Sequence, residues 1–225
     1  MELDLHIHSS YSFDSYSKVS DILKNSKKKG LGGLAITDHN TIKGSLEALK
    51  ISDEQMIICG SEIGTEIGDI IGLFINEEIK SRLSLEVIDE IKDQGGLAVL
   101  AHPYKRGKNP GNEIIKNVNA IEVFNARAAK TNENARKIAL DYDLPMTAGS
   151  DSHFCFEVGR GRVIIRDAVD AENIRKSILK KQVDIAGINS GSYLDTLSQA
   201  IRIFKQKRYK NIHKKLYERF INRCK

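Results

Sequence analysis

Five of the six histidines in this chain lie in four short motifs, two of which also contain a carboxylate side chain. In chain order, the motifs are His6-Ile7-His8, Thr37-Asp38-His39, Ala101-His102-Pro103 and Gly149-Ser150-Asp151-Ser152-His153, with Asp14 and Glu62 between them. Imidazole nitrogen and carboxylate oxygen are the donors that divalent metals take where chemistry is performed. Ordinary histidines at strand ends are the alternative interpretation, but so many ligand-type residues together favour a metal-dependent enzyme.

Each motif follows a short apolar segment that is typical of a buried strand. Such segments lie at residues 2–8, 33–37, 56–62, 68–75, 97–101, 120–124, 145–148, 162–165 and 183–186, and helical patterns cover 19–29, 83–94, 132–142 and 171–181. The Gly95-Gly96 pair predicts the end of the second of these helices. The alternation predicts an α/β fold whose mainly parallel sheet closes into a barrel or a distorted barrel. Because parallel strands of a barrel end at one rim, the motifs are expected to gather there.

The first motif places two imidazoles on one strand. Successive side chains of a strand point to opposite faces, so His6 and His8 share one face. Leu3, Leu5 and Ile7 are expected on the other face. The Cα atoms of the two histidines would be roughly 6.5–7 Å apart, from which both rings can converge on one ion at bonds of ~2.0–2.1 Å.

The motifs and their order resemble those of the PHP (polymerase and histidinol phosphatase) domain. That family has a strand-borne H-x-H, a Ser-Asp pattern, T-D-H, G-x-E, A-H-P and G-S-D-x-H. The corresponding segments of this chain are LDLHIHSSYSFDS, AITDHNT, CGSEIG, LAHPY and AGSDSH, within residues 1–165. The resemblance implies a distorted seven-stranded (β/α) barrel of PHP type, to which this sequence adds a basic, helical C-terminal tail.

The resemblance also implies a catalytic centre with two or three divalent ions of manganese, zinc, iron or magnesium. Its eight ligands fall into three groups: His6, His8, Glu62 and Asp151 for the first ion; Glu62, as a bridge, and His102 for the second; and Asp14, His39 and His153 for the third. These eight residues would also be the catalytic residues.

The sequence departs from the family pattern at Asp69. Many short members have a histidine in the hairpin strand after the bridging glutamate, in a context like G-H-I-x-G-L, where this chain has Gly68-Asp69-Ile70-Ile71-Gly72-Leu73. If Asp69 is a ligand of the second ion, its carboxylate favours manganese or magnesium over zinc. An ordinary turn residue is the alternative interpretation.

A site of this kind lowers the pKa of bound water and clamps two phosphoryl oxygens. The chain is therefore predicted to hydrolyse phosphate esters by a metal-bound hydroxide. Arg106 and Arg127, which follow ligand-bearing strands, are predicted to bind the substrate phosphate. Lys105 and Arg160 are further candidates, and solvated loop charges are the alternative interpretation for each of these residues.

By resemblance to short PHP proteins, the substrate is expected to be a nucleoside phosphate or a short oligonucleotide. A histidinol-phosphate or sugar-phosphate phosphatase is the first alternative. An amidohydrolase-like metallohydrolase is the second, although the T-D-H and D-x-H motifs exceed what its one or two ions need. A non-catalytic, metal-stabilised module that serves a partner is the third alternative, which the complete ligand set disfavours.

Two further acidic residues lie next to the ligand candidates. Glu122 is in the apolar run 120–124, where an acid must be paired because an isolated buried charge is costly. It is interpreted either as a group that supports the metal ligands or as the partner of Arg127. Asp38 is expected to point away from the ion and to orient a ligand rather than to bind metal.

The length of 225 residues suits one large domain, or one domain with a tail. Three scattered cysteines argue against a thiolate zinc site and against a disulfide framework. No signal peptide is apparent, and no apolar run approaches the ~18 residues that a membrane span needs. A soluble, cytoplasmic protein without a transmembrane segment is therefore expected, and its oligomeric state is open.

The formal charge of +5 is unevenly distributed along the chain. Residues 192–225 contain ten Lys or Arg and two acidic residues, a net charge of +8, which leaves −3 for residues 1–191. The sequence therefore predicts a PHP-type domain at 1–191 and a basic amphipathic helical tail at 192–225. The first half of the tail is expected to pack on the barrel. The second half, from Lys205, is a candidate for binding a polyanion such as nucleic acid, or an anionic membrane surface.

Overall fold

The computed structural model describes residues 1–105, 107, 109–166 and 169–221, with side chains as far as residue 207. Within these residues the chain forms nine β-strands and seven α-helices. The strands are β1 (Glu2–Ile7), β2 (Gly33–Ile36), β3 (Met56–Thr65), β4 (Gly68–Leu73), β5 (Leu97–Leu100), β6 (Ala120–Asn125), β7 (Met146–Gly149), β8 (Gly161–Ile164) and β9 (Asp184–Gly187). The helices are α1 (Val19–Lys28), α2 (Lys43–Ile51), α3 (Ser84–Asp93), α4 (Gly111–Asn117), α5 (Asn132–Asp141), α6 (Ala171–Leu179) and α7 (Tyr193–Ile221).

Strands β1 to β7 lie side by side in chain order and form the wall of a barrel. β1, β2 and β3 are parallel, as are β5, β6 and β7, whereas β4 runs antiparallel to both of its neighbours. The two ends of this wall meet where Ile7 bridges Ser152 and the His8 N–H donates to the Ser152 carbonyl at 2.8 Å. β8 and β9 extend the sheet beyond β1. The barrel is nearly closed, and the predicted distorted barrel is confirmed.

Three buried apolar clusters hold the strands and helices together. One joins side chains of the strands, such as Leu5 and Val99, to Ile174 of α6. The second packs α3, α4 and α5 against the sheet, and the third packs α1 and α2 against it. The helices bury residues at intervals of three or four positions, as Val87, Ile88 and Ile91 show on α3, which is the pattern of a helix with one apolar face.

Strand β1 departs from strict alternation. Its register with β2 shifts between Asp4 and Ile7. Leu3 and Leu5 pack in the cluster shared with α6, whereas Ile7 packs in the cluster shared with α1 and α2. Strict alternation predicted that the three apolar side chains share one face of the strand. They do not share one environment, because an irregularity of this type turns the end of a strand.

Helix α3 ends as the pair of glycines predicted. Gly95 has a φ of 73°, in the left-handed region that glycine adopts without strain. Its N–H donates to the Lys92 carbonyl at 2.8 Å, and the Gly96 N–H donates to the Ile91 carbonyl at 3.0 Å. These two bonds form a Schellman cap, which leads the chain directly into β5 and thus to His102.

Helix α7 accounts for the helical tail that was predicted. Leu194 and Ser198, in its first turns, are buried against the barrel, whereas Ile203 and Phe204 are exposed. Its charged residues make it too polar for a lipid bilayer, and the other helices of the described part of the chain are too short or too polar to cross one.

Candidate metal centre

The carboxyl end of β1 brings two imidazoles together. The Nε2 atoms of His6 and His8 lie 3.1 Å apart, and both residues are buried. The Nε2 atom of His8 lies 3.3 Å from a carboxylate oxygen of Glu62 and 3.3 Å from one of Asp151. The Nε2 atom of His6 lies 3.6 Å and 3.7 Å from the same two carboxylates. The four residues predicted for the first ion therefore converge on one point.

A second group forms on the other side of Glu62. Its Oε1 atom lies 2.9 Å from the Nε2 atom of His102, and donor atoms of His6, Glu62 and His102 all lie within 4.8 Å of one another. The Oδ2 atom of Asp69, on β4, lies 3.9 Å from the same nitrogen of His102, and Asp69 is buried. Asp69 thus lies beside the group predicted for the second ion, whereas an ordinary turn residue would face solvent.

Asp14, His39 and His153 form the third group, with His8 at its edge. The Oδ2 atom of Asp14 lies 3.1 Å from the Nε2 atoms of both His39 and His153. The Oδ1 atom of Asp14 is buried and has no hydrogen-bond partner within the described ranges. A buried carboxylate oxygen without a partner is costly, so this atom fits a site that holds a cation.

The distances between donor atoms also fit bound metal. Donors that surround one ion tetrahedrally at bonds of about 2.1 Å lie about 3.4 Å from one another, which is close to the separations around His8 and Asp14. The donors are nitrogen and oxygen atoms, as at catalytic sites of divalent metals. The residues present therefore fit two or three divalent ions. The assignment of each residue to one ion remains a prediction.

The buried charges of the cluster perturb one another. Burial would lower the pKa of His39, but the carboxylates of Glu62 and Asp14 raise it to about 10. Burial, together with the neighbouring His153 and His39, lowers the pKa of His8 to about 3. Burial would raise the pKa of Glu62, but His39 holds it well below its usual range. Without metal, the cluster is thus neutralised by protons on imidazole, which a bound cation would displace.

Two of the ligand candidates have an unusual backbone conformation. The φ angles are 26° at His102 and 52° at Asp151, on the positive side that residues other than glycine rarely adopt. Such strain persists only where the surroundings hold it, and it is concentrated at functional sites. The His102 N–H is held by a bond of 2.8 Å to the Oε2 atom of Glu122, and Asp151 lies next to the bridge that closes the barrel.

Glu122 supports two ligand candidates at once. Its Oε1 atom lies 2.9 Å from the Nδ1 atom of His6, while its Oε2 atom accepts from the His102 N–H. An imidazole held by a carboxylate at Nδ1 presents Nε2 to a metal. The interpretation of Glu122 as a supporting group therefore fits the structure. The alternative, an ion pair with Arg127, is wrong, because Arg127 pairs with Glu157 instead.

Asp38 supports the site from the side of β2. It accepts hydrogen bonds from the N–H and the hydroxyl of Ser9, both at 2.6 Å, and from the Ser12 hydroxyl at 2.9 Å. The Ser12 hydroxyl oxygen lies 3.0 Å from the Nδ1 atom of His8. Asp38 thus orients the His8 ring through Ser12, as expected for a carboxylate that does not bind metal itself.

A cavity of about 250 Å³ opens over the three groups. Its wall contains Asp14, His39, Glu62, His102, Asp151 and His153, the basic residues Lys105 and Arg127, and Asp195, Ser198 and Gln199 of α7. The sequence did not predict the contribution of α7. The apolar pattern of the tail indicated that the helix packs on the barrel, but a periodic face does not reveal which surface it covers.

The basic residues of the cavity differ in their availability to a substrate. The Nζ atom of Lys105 lies 2.6 Å from the Oδ2 atom of Asp151, beside the ligand candidates. The guanidinium of Arg127 is buried and binds Glu157 through two nitrogens, with an Nε–Oε1 distance of 3.0 Å. Arg106, also predicted to bind phosphate, lies outside the described residues. All three guanidinium nitrogens of Arg127 have partners, in Glu157 and the Ser198 hydroxyl, whereas the Lys105 ammonium group has three N–H donors and pairs with one carboxylate. The geometry therefore favours Lys105 over Arg127.

Comparison with known proteins gives the family. The PHP-associated family model PHP_C matches residues 129–183. An uncharacterized protein of Methanocaldococcus jannaschii, MJ1587, is 46% identical over 141 residues, which cover 56% of this chain and 82% of that protein. The chain belongs to the PHP family. The resemblance that the motifs suggested is therefore confirmed.

Two solved structures share the PHP fold with this chain. One is a two-domain protein of Bacteroides vulgatus that contains a "predicted PHP-like metal-dependent phosphoesterase", with a TM-score of 0.72 and 18% identity over 84% of this chain. The other is the lesion-specific endonuclease PfuEndoQ of Pyrococcus furiosus, with a TM-score of 0.55 and 19% identity over 82% of this chain. This chain spans 65% of the length of the first protein and 57% of the second.

Metal binding to the metal-free protein near neutral pH is expected to release protons. His39, whose pKa is raised to about 10, is protonated there and must lose its proton to become a ligand. The apparent metal affinity should therefore increase as the pH rises towards 10. Calorimetric titration with Mn²⁺ in two buffers of different ionisation enthalpy measures the protons released. The heat should differ between buffers, and His39→Gln should release about one proton fewer. Equal heats in both buffers would contradict this expectation.

Glu122→Gln is expected to lower the metal affinity about 10- to 100-fold without unfolding the protein, because the ring of His6 loses its anionic partner. Competition with a chelator measures the affinity, and circular dichroism checks the fold. Glu113→Gln, on the exposed side of α4, makes the same chemical change away from the site and should leave the affinity unchanged. If both variants bind metal like the original protein, Glu122 has no supporting role.

Proposed function

We propose that this PHP protein is a metal-dependent phosphoesterase that hydrolyses phosphate esters at the cluster described above. The observation that carries the proposal is the position of Glu62, whose two carboxylate oxygens lie within 3.6 Å of four imidazoles. A carboxylate shared in this way places the three groups side by side, as a multinuclear site requires. The Bacteroides vulgatus protein that shares the fold is described as containing a "predicted PHP-like metal-dependent phosphoesterase", which supports the same class of reaction.

In this proposal the three groups keep the assignments predicted from the sequence: His6, His8, Glu62 and Asp151; Glu62 and His102; and Asp14, His39 and His153. When bound, the ions would supply a hydroxide nucleophile near neutral pH and neutralise charge on the phosphoryl oxygens. Asp69 beside the second group adds a carboxylate where an imidazole is usual. Its oxygen donors favour manganese or magnesium at that position.

Lys105 would hold the phosphate of the substrate. Burial would lower the pKa of Lys105, but the carboxylate of Asp151 raises it, so the ammonium group remains charged within the cavity. A substrate phosphate could therefore meet this charge beside the ligands. Arg127 would act mainly through its neighbours, since it binds Glu157 and also donates to the Ser198 hydroxyl of α7 at 3.0 Å. These bonds join the barrel to α7 at the wall of the cavity.

A nucleoside phosphate or a short oligonucleotide is the substrate that we propose. PfuEndoQ, which shares the fold, is named as an endonuclease. The cavity of about 250 Å³ is near the lower end of the range for ligand sites, so it suits a terminal phosphate with its sugar better than a long strand. A sugar phosphate or histidinol phosphate would meet the same ligands and remains the alternative. An amidohydrolase-like reaction is less favoured, because the third group exceeds what one or two ions need.

Binding of a polyanion by the basic tail is also a proposal. The residues proposed to bind the polyanion are those after 207. Arg202 and Lys205 are left out because they contact the loop that carries Asp14. The segment proposed from the sequence began at Lys205, and this boundary needs correction. A deletion that tests recruitment of nucleic acid should therefore start at residue 208.

The protein, supplied in turn with Mn²⁺, Mg²⁺, Zn²⁺ and Fe²⁺, is expected to release phosphate from phosphomonoesters, nucleoside 3′,5′-bisphosphates or short RNAs. His8→Ala removes a residue that belongs to two of the three groups. It should lower kcat/KM by about 10³-fold or more, or about 4 kcal/mol of transition-state stabilisation. Asn134→Ala, at an exposed position of α5 that does not line the cavity, is the control and should leave kcat/KM unchanged. Full activity of His8→Ala, or of protein shown to be metal-free by elemental analysis, would refute the proposed reaction.

Lys105→Met is expected to raise KM for the best phosphate ester about 10- to 100-fold with a smaller effect on kcat, because a charged hydrogen bond to phosphate contributes about 1.5–3 kcal/mol. Steady-state kinetics measure this change. Arg106→Met removes the neighbouring charge and is the comparison, since the sequence predicted a phosphate-binding role for that residue. A larger loss in Arg106→Met than in Lys105→Met would refute the role of Lys105 and assign phosphate binding to Arg106, as the sequence predicted.

A further inference from the structure

The loop of residues 9–17, between β1 and α1, carries Asp14 over the end of the barrel. It contains no strand or helix, so its shape depends on individual bonds. The Ser10 N–H donates to the Ser17 carbonyl at 2.7 Å, and the Ser12 N–H donates to the Ser9 carbonyl at 3.0 Å. These bonds close the loop on itself. Its serine side chains also bind the barrel: the hydroxyls of Ser9 and Ser12 donate to Asp38, and those of Ser15 and Ser17 donate to the His153 carbonyl.

A lysine of α7 binds the backbone carbonyls of the same loop. The Nζ atom of Lys205 donates to the carbonyl oxygens of Ser10 at 3.0 Å and of Ser12 at 2.6 Å, and it also donates to the Ser15 carbonyl. An ammonium group has three N–H donors, and here three backbone carbonyls receive them. The same Nζ atom lies 4.7 Å from the centre of the Tyr16 ring, at the distance of a cation–π contact.

Arg202, one turn earlier on α7, contacts the same loop. Its guanidinium carbon lies 4.9 Å from the centre of the Phe13 ring. Phe13 in turn stacks on the imidazole of His39, with the ring centres 4.4 Å apart and the planes inclined by 4°. The two cations of α7 therefore hold the residues on either side of Asp14, and one of them is linked through Phe13 to another residue of the third group.

We infer that Lys205 is a positioning residue of the proposed metal centre: its ammonium group holds the loop of residues 9–17 in the shape that presents Asp14 to His39 and His153. The inference rests on the proposed function for the identity of the bound ion. Its structural part, that Lys205 orders the loop, stands independently of the reaction. On this view the first turns of the tail complete the active site rather than form an appendage to it.

The arrangement has a selective consequence for metal binding. Asp14 belongs only to the third group, whereas the residues of the first two groups lie on strand ends that the barrel itself holds. Loss of the ammonium group leaves three carbonyls without their common donor and loosens the segment of residues 10–15 that carries Asp14. The third ion should then bind more weakly, while the other two should bind as before.

Lys205→Met removes the ammonium group and keeps most of the apolar stem, and Lys207→Met makes the same change at an exposed position of the same helix. Hydrogen–deuterium exchange is followed first on the metal-free full-length proteins. Amides of residues 10–17 should exchange at least about tenfold faster in Lys205→Met than in the original protein. Amides of β1 and β3 should be unchanged. Lys207→Met should match the original protein throughout.

Titration with Mn²⁺ is the second measurement. In Lys205→Met the dissociation constant of one equivalent should increase about 10- to 100-fold, with the remaining equivalents unaffected. Lys205→Gln, whose amide has two N–H donors instead of three, should fall between the two proteins in both measurements and is used if Lys205→Met does not fold. Circular dichroism and the thermal midpoint report on folding.

Unchanged exchange in residues 10–17 together with unchanged Mn²⁺ binding in either Lys205 variant would overturn the inference. Equal effects of Lys205→Met and Lys207→Met would also overturn it, because the loss of one positive charge from α7 would then explain both results. Faster exchange of the loop in a protein that cleaves no phosphate ester would support the positioning role and refute only the proposed reaction.

Discussion

A buried carboxylate is tolerated only where opposite charge or hydrogen-bond donors surround it, and Glu62 imposes this constraint on the whole end of the barrel. Strand β3 brings Glu62 close to these groups because it pairs with two different strands along its length. Residues 56–59 pair with β2 in parallel, whereas residues 60–65 pair with β4 in antiparallel fashion. Glu62 therefore lies just beyond the point where the partners change, bridged to His39 and within reach of imidazoles from β1 and β5.

Close approach of the backbone at the end of β7 is the second requirement of this arrangement. A side chain at Gly149 would clash with the Cβ atom of His6, so only glycine allows β7 to lie against β1. Below this contact, the buried carboxylate of Asp4 accepts hydrogen bonds from the N–H groups of Ser150 at 2.9 Å and Gly159 at 2.7 Å. The glycine of the G-S-D-x-H motif thus has a steric role, because it lets the aspartate of that motif reach the histidines of β1.

The strands and ligand candidates could be predicted because apolar runs and polar motifs alternate locally in the sequence. Helices α2 and α4 were missed for physical reasons. α2 begins without a side-chain cap and has Gly44, a poor helix former, in its first turn, where any larger residue would clash with the Asp38 carboxylate. α4 has seven residues and follows Asn109-Pro110, which is typical of a turn. The pair of Arg127 with Glu157, and the bonds from Lys205 to the first loop, join distant parts of the chain that no local pattern connects.

The bridge between Ile7 and Ser152 closes the barrel, and candidate ligands flank it on both strands: His6 and His8 lie on either side of Ile7, and Asp151 and His153 lie on either side of Ser152. A metal ion bound by residues of both strands would cross-link the two edges of the sheet where the barrel closes. At a free concentration of 100 times its dissociation constant, such an ion would stabilise the closed form by about 2.7 kcal/mol over a form that cannot bind it. Chelation would therefore loosen the barrel first along the edge between β1 and β7, while the helical layers far from this edge would keep their packing.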